Sequence, residues 1–286
     1  MFTKFRIPST PKPVVYRTKH LKPSREGEET VDDRQRKIEG YNPEAYPNAK
    51  IDVIGAGGLG SEIGLALVRK GIGTLRFFDM DYVSLSNLHR QFFREEDLNK
   101  PKAHCLAKNL AREGFLRTTI EGYSLSFQDA LALGIDLADT SIAIVGVDNN
   151  PCRVAASRFY RERSIPCIFT SVSVDTTHGY TYVQEPGGAC FGCQFPKSIN
   201  DETYPCGTPA AIDILKVMGG IVSYAVDTII MERPRLWNYK HEYLDGFPGK
   251  DWMVQRRPEC KLCGLSVNEE LQVVGSINND TQAEAV

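Results

Sequence analysis

Apolar positions along this chain gather into short runs separated by longer stretches of helical spacing. Runs at 51–54, 74–78, 118–123, 141–147 and 166–170 have the length of strands. The run SIAIVGV at 141–147 is apolar nearly throughout, as a strand covered on both faces is. Helical patterns fill the intervals: one from the glycines after residue 54 to about Lys70, then 101–114, 126–133 and 151–163, with Pro101 and Pro151 at helix starts. Strand-length runs alternating with helices predict a mostly parallel sheet with right-handed crossovers. The stretch 172–184 alternates apolar and polar residues and predicts an added antiparallel strand, and runs near 235–241 and 251–256 extend the pattern. The longest apolar segment, 210–231, carries Asp213, Lys216 and Asp227, so it reads as a buried helix and not a membrane span.

The first strand empties into Gly55, Gly57, Gly58 and Gly60, and the second ends in Asp79. Glycines in that place allow a tight turn and let backbone N–H groups approach a phosphate with no Cβ in the way. The helix that starts there turns its unpaired N–H groups and positive dipole end toward an anion. A carboxylate at the tip of the second strand can accept hydrogen bonds from a ribose. The fold class that follows is α/β, a Rossmann-like sheet with helices on both faces, extended by antiparallel strands and a four-cysteine knuckle. On these residues alone NAD and ATP both remain open.

Composition narrows the class. With 286 residues, 42% of them hydrophobic, the chain can bury one large α/β core or two modest ones. A net charge of −2 argues against general nucleic-acid binding. No apolar run reaches the length of about 18 residues that a membrane helix needs, and MFTKFRIPSTPKP has no signal-peptide core. Eight cysteines include two CxxC pairs and four scattered thiols, a pattern unlike a secreted disulfide scaffold, so a reducing cytoplasm is expected. Residues 1–33 form a charge-segregated arm: basic and without an acid through Arg25, then acidic from Glu26. Within it KPVVYRT can add a strand, against this sheet or a partner's. Residues 34–266 form the folded domain, and 267–286 a polar tail without a packing pattern.

Asp79, Asp81, Asn87, Arg90 and Gln91 follow in the frame DMDYVSLSNLHRQ, with Lys102 soon after. A redox nucleotide site has no need of Arg and Lys beyond the pyrophosphate already cradled by glycine. An enzyme that expels pyrophosphate needs fixed positive charge on the outer phosphates, where negative charge builds as the bond breaks. Arg90 offers a bidentate fork and Lys102 a point charge. Asp148, at the carboxyl end of the 141–147 strand, can hold Mg2+ against the phosphates or can cap the next helix.

The ordered set GxGGLGSE, DxDxVxxSNLxRQ and PK resembles the ThiF/MoeB/HesA family, whose members adenylate the C-terminal carboxylate of ubiquitin-like or sulfur-carrier proteins. The likeness runs from about Arg34 to Gly264. It implies ATP and Mg2+, with Gly55, Gly57, Gly58, Gly60, Asp79, Asp81, Asn87 and Gln91 at the nucleotide and Arg90, Lys102 and Asp148 at the reacting phosphates. It also implies a homodimer in which an arginine ahead of the first strand, Arg34 here, reaches the partner's nucleotide. Cys206 in TYPCGT lies where relatives that bond covalently to their carrier place a thiol. It reads either as that acceptor or as an unreactive loop cysteine. A conjugating enzyme downstream is a further partner the likeness permits.

Cys190, Cys193, Cys260 and Cys263 have the spacing by which two knuckles present four thiolates to one tetrahedral metal, and a structural Zn2+ is the expectation. Two rival readings remain. An NAD(P)-dependent oxidoreductase accounts for the glycines and Asp79 but leaves the cations and cysteines without a task. A non-catalytic dimeric adaptor for a carrier protein has no use for Arg90, Lys102 and Asp148.

Overall fold

The structure is a computed structural model and describes residues 11–201 and 209–264. Its strands are β1 (Val14–Arg17), β2 (Lys50–Ile54), β3 (Thr74–Phe78), β4 (Thr119–Tyr123), β5 (Ile142–Val145), β6 (Cys167–Val172), β7 (His178–Gln184), β8 (Tyr239–Tyr243) and β9 (Lys250–Trp252). The helices are α1 (Asp33–Arg36), α2 (Ala45–Asn48), α3 (Gly58–Lys70), α4 (Lys102–Leu110), α5 (Phe127–Ala132), α6 (Asn150–Glu162), α7 (Phe191–Gln194) and α8 (Ile212–Ile230). All nine strands form one sheet in the order β1-β4-β3-β2-β5-β6-β7-β8-β9. Pairings from β4 through β6 are parallel, and β1, β7, β8 and β9 join antiparallel.

The chain builds outward from β2 through β3 to β4, then returns past β2 to lay down β5 and β6. The order therefore reverses between β2 and β5, and a crevice opens at the carboxyl ends of those two strands. Alternation explains the two layers. Ile51, Val53, Leu75, Phe77, Ile142 and Ile144 pack with α3, α4 and α8. Ile54, Phe78, Val145 and Phe169 pack with α5, α6 and α7. Fully burying one such side chain contributes about 1.5–3 kcal/mol, so two covered faces make a strongly held sheet. Gly71, at φ 83°, ends α3 by bonding its N–H back to the Leu67 and Val68 carbonyls.

Two expectations change in detail, and one buried pair is added to them. The strand read from KPVVYRT pairs with β4 of its own chain, Val14 opposite Gly122, so that part of the arm is an edge of this sheet. The run 172–184 holds a strand only from His178, because a turn through Thr176, at φ 64°, separates it from β6. Asp52, inside an apolar run, is fully buried and answered by Arg76 at the matching register of β3.

Among the described residues no helix is long and apolar enough to cross a membrane.

Candidate active site

The turn after β2 shows why its glycines are there. Gly55 has φ 102°, where an L side chain is strained, and its N–H bonds the Phe78 carbonyl at 2.9 Å. A Cβ on Gly60 would lie 2.1 Å from the Gly55 carbonyl oxygen, and one on Gly58 would lie 2.6 Å from Leu215 Cδ1. Gly57 differs. A Cβ there would meet only Gln91 Nε2, at 3.9 Å, so the turn opens onto free space bounded by that amide. Gln91 Oε1 is buried and has no hydrogen-bond partner among the described residues. An open glycine cradle at a helix N-terminus beside an orphaned amide oxygen suits a nucleotide.

Asp79 closes the turn from the β3 side. Its Oδ2 accepts from Ala56 N at 2.8 Å and its Oδ1 from Asp81 N at 2.8 Å. Burial pushes the Asp79 carboxyl above its ordinary range, while Lys102 and those two N–H groups pull it back toward the ionised form. Lys102 is the first residue of α4, behind Pro101. Its N–H donates to the Asp81 carbonyl at 2.8 Å and its Nζ pairs with Asp81 Oδ2 at 2.9 Å. A lysine at a helix N-terminus adds charge to an end already positive, an arrangement that suits a bound anion better than the free helix.

The loop between Asp81 and Lys102 is braced from within. Asn87 is buried and its Oδ1 accepts from Ser84 N at 2.9 Å, so it folds the loop and does not face the cradle with that atom. Ser61 of α3 accepts from Phe92 N at 3.0 Å. Asp97 takes bonds from Arg94 N at 3.0 Å and Asn109 Nδ2 at 2.6 Å, and pairs with Lys108. Arg90 Nη1 donates to the Ser86 carbonyl at 2.6 Å, and among the described residues Arg90 has no carboxylate partner.

Across the crevice, a Cβ on Gly55 would meet the Gly146 carbonyl at 3.0 Å, so the β5 turn abuts the glycine turn. Asp148 is exposed there. The cap of α6 is its neighbour: Asn149 Oδ1 accepts from Cys152 N at 2.9 Å, which leaves the Asp148 carboxylate outside the helix. Beneath the turn lies Arg153, 8% exposed, a residue that pattern reading passes over because nothing in the α6 sequence marks it.

The fold does not gather every expected residue here. Arg34 is exposed on α1, pairs with Glu29 at 3.6 Å, and does not touch the glycine turn of its own chain. Its neighbours Asp32 and Arg36 line a cavity of about 250 Å³ with Gly71 and Leu116, which precede β3 and β4, at the opposite end of the sheet. Cys206 lies outside the described residues. Cys190, Cys193, Cys260 and Cys263 do meet: Sγ separations are 3.8 Å for 190–193 and 3.5 Å for both 190–260 and 193–263. All four are buried, and together they can hold a metal ion.

Sheet and turns together define a doubly wound α/β protein with a glycine-cradled nucleotide-type crevice and a separate four-cysteine cluster. The chain belongs to the ThiF family, whose pattern matches residues 34–271. It is 28% identical over 241 residues to the sulfur carrier protein adenylyltransferase of Thermus thermophilus, covering 77% of this chain and 84% of that one. It is also 28% identical over 196 residues to ubiquitin-like modifier-activating enzyme 5 of Drosophila melanogaster, covering 63% of this chain and 48% of that protein. The chain thus spans about half the length of the activating-enzyme relatives it matches. Among solved structures, E. coli MccB with AMPCPP and MccA superposes with a TM-score of 0.68 at 19% identity, covering 85% of this chain and 76% of MccB.

Proposed function

We propose that this chain adenylates the C-terminal carboxylate of a ubiquitin-like or sulfur-carrier protein, consuming ATP and releasing pyrophosphate. Family membership and the names of its relatives support the reaction class. The observation that carries the reading is the chain of contacts from the glycine turn through Asp79 and Asp81 to Lys102, together with Arg90, the chain neighbour of Gln91, which lacks a carboxylate partner among the described residues. A carboxylate oxygen of the carrier attacks the α-phosphorus, and the bond to the β-phosphate oxygen breaks with its electron pair leaving on pyrophosphate. Backbone N–H groups at Gly57 and Gly58 hold the phosphates, and Arg90 and Lys102 meet the charge that grows on the departing pair. Asp148, exposed and freed from capping by Asn149, is the ligand suited to Mg2+, which when bound neutralises phosphate charge. Gln91 and Asp79 orient the nucleoside side.

The same reading includes a homodimer in which Arg34 of one copy serves the other's site, transfer of the acyl group to Cys206, and a cytoplasmic setting. Its domain division is an arm at 1–33, an adenylation domain at 34–266 and a tail at 267–286. For the cysteines we propose a closed structural Zn2+ site: thiolates about 2.3 Å from tetrahedral zinc stand about 3.8 Å apart, close to the separations found.

Thermal shift tests the nucleotide. A ligand at about 100 times its Kd stabilises by about 2.7 kcal/mol. Stabilisation by MgATP and not by NADH is expected, followed by ATP–pyrophosphate exchange when a carrier ending in Gly-Gly is added. Stabilisation by NADH alone would make the chain an oxidoreductase, and nucleotide binding without exchange would make it an adaptor.

A further inference from the structure

Two histidines to one side of the nucleotide crevice point their imidazoles at each other. His178 opens β7 and His241 lies in the middle of β8, and the register sets them diagonally opposite on one face of the sheet. His178 Nδ1 and His241 Nε2 stand 2.8 Å apart. The outer nitrogen of each ring has an oxygen beside it. Tyr239 OH is 3.2 Å from His241 Nδ1, and Asp175 Oδ1 is 3.9 Å from His178 Nε2. Asp175 is fixed in the turn before β7, where it accepts from Thr177 N and Thr177 Oγ1, each at 3.1 Å. The Tyr243 ring packs against both imidazoles, with its centroid 5.2 Å from that of His178 and 4.6 Å from that of His241, which limits how far either can turn. An oxygen beside an outer nitrogen draws the ring proton there and leaves the inner nitrogen with a lone pair. Two lone pairs that close repel unless a cation stands between them. A shared proton is one such cation, and a metal ion is the other.

We propose that His178 Nδ1 and His241 Nε2 are the protein ligands of a divalent transition-metal site of the Ni2+ or Cu2+ type, separate from the four cysteines and independent of the adenylation reading. An ion about 2.0 Å from each imidazole nitrogen, with the two at the right angle of tetragonal geometry, needs them about 2.8 Å apart. Tetrahedral zinc needs about 3.3 Å, so the spacing favours the former. The His178 side chain is 33% exposed, so an ion can enter and water can fill its other positions. Of the charged neighbours, Asp175 and Glu242 favour a cation and Lys250 opposes it. Asp175 and Tyr239 act as outer partners that hold each ring with its inner nitrogen presented.

The test uses the full chain carrying one equivalent of Zn2+, which four thiolates retain, titrated with NiCl2 by calorimetry. The expected result is uptake of one Ni2+ per chain. Loss of an outer partner typically weakens a metal by about 10–100-fold, and Tyr239→Phe should fall in that range. His178→Gln and His241→Gln each remove a ligand and should weaken Ni2+ further still. Should a substituted chain fail to fold, diethylpyrocarbonate labelling of the unsubstituted chain decides the matter: Ni2+ should shield His178 and His241 and leave the exposed His20 reactive. No uptake, no shielding, or uptake equal in all folded variants would overturn the proposal and leave the two rings as a hydrogen-bonded pair around a shared proton.

Discussion

Two aspartate–cation pairs in this molecule have the same chemistry and opposite surroundings. Asp52 and Arg76 meet at 2.6 Å inside the sheet, with side chains 0% and 5% exposed. Asp81 and Lys102 meet at 2.9 Å on the rim, 58% and 12% exposed. The inner pair is closed: Asp52 also accepts from Thr140 Oγ1 at 2.7 Å and Tyr160 OH at 2.8 Å, and Arg76 donates to Asp139 at 2.9 Å and Thr140 at 2.7 Å. Burial pushes the Asp52 carboxyl up, against the pull of Arg76, Thr140 and Tyr160. The guanidinium of Arg76 at 2.6 Å and the hydroxyls of Thr140 and Tyr160 satisfy both oxygens of Asp52 inside the core. The outer pair is open. Its Asp81 side chain is more than half exposed, and the Lys102 ammonium has no second carboxylate among the described residues. A satisfied charge holds a fold together, whereas a loosely engaged one at a ligand end is available for work.

The contrast breaks most readily at its buried half. Arg76→Met strands Asp52 in the core and should cost about 3–5 kcal/mol in urea unfolding. Adding Asp52→Leu should recover most of that loss, since a buried pair seldom outperforms well-packed apolar residues. Next in size, Arg90→Ala should lower ATP–pyrophosphate exchange by about 10²–10³-fold while the urea midpoint stays in place. The smallest effect sharpens the comparison. Asp81→Asn should change stability by less than about 1 kcal/mol, because an exposed pair contributes little. A loss there as large as that of Arg76→Met would show that the rim pair, too, is structural.

Much of this was legible in the chain itself, and the failures share a cause. The glycine turn, the Asp79–Lys102 frame and the four cysteines are local patterns whose spacing implies their geometry. Both sheet faces follow from alternation within β2, β3 and β5. Asp52 and Arg76 were missed because each interrupts an apolar run, and only the β2–β3 register makes one answer the other. Arg153 was missed for the same reason: its partners come from β6 and the β5 turn, which sequence distance conceals. Asn87 carries the right name in the frame, yet its Oδ1 is spent on folding the loop.

The cysteine cluster has a bearing on solubility. Strand β9 is the exposed border of the sheet, and the chain leaving it is tethered through Arg257 N to Cys193 Sγ at 3.4 Å and through Cys260 and Cys263. Released from that tether, β9 could leave β8, whose amides would then stand unpaired beside Tyr239, an invitation to intermolecular strand addition. Replacing Cys260 and Cys263 by serine should therefore raise light scattering before circular dichroism reports any unfolding.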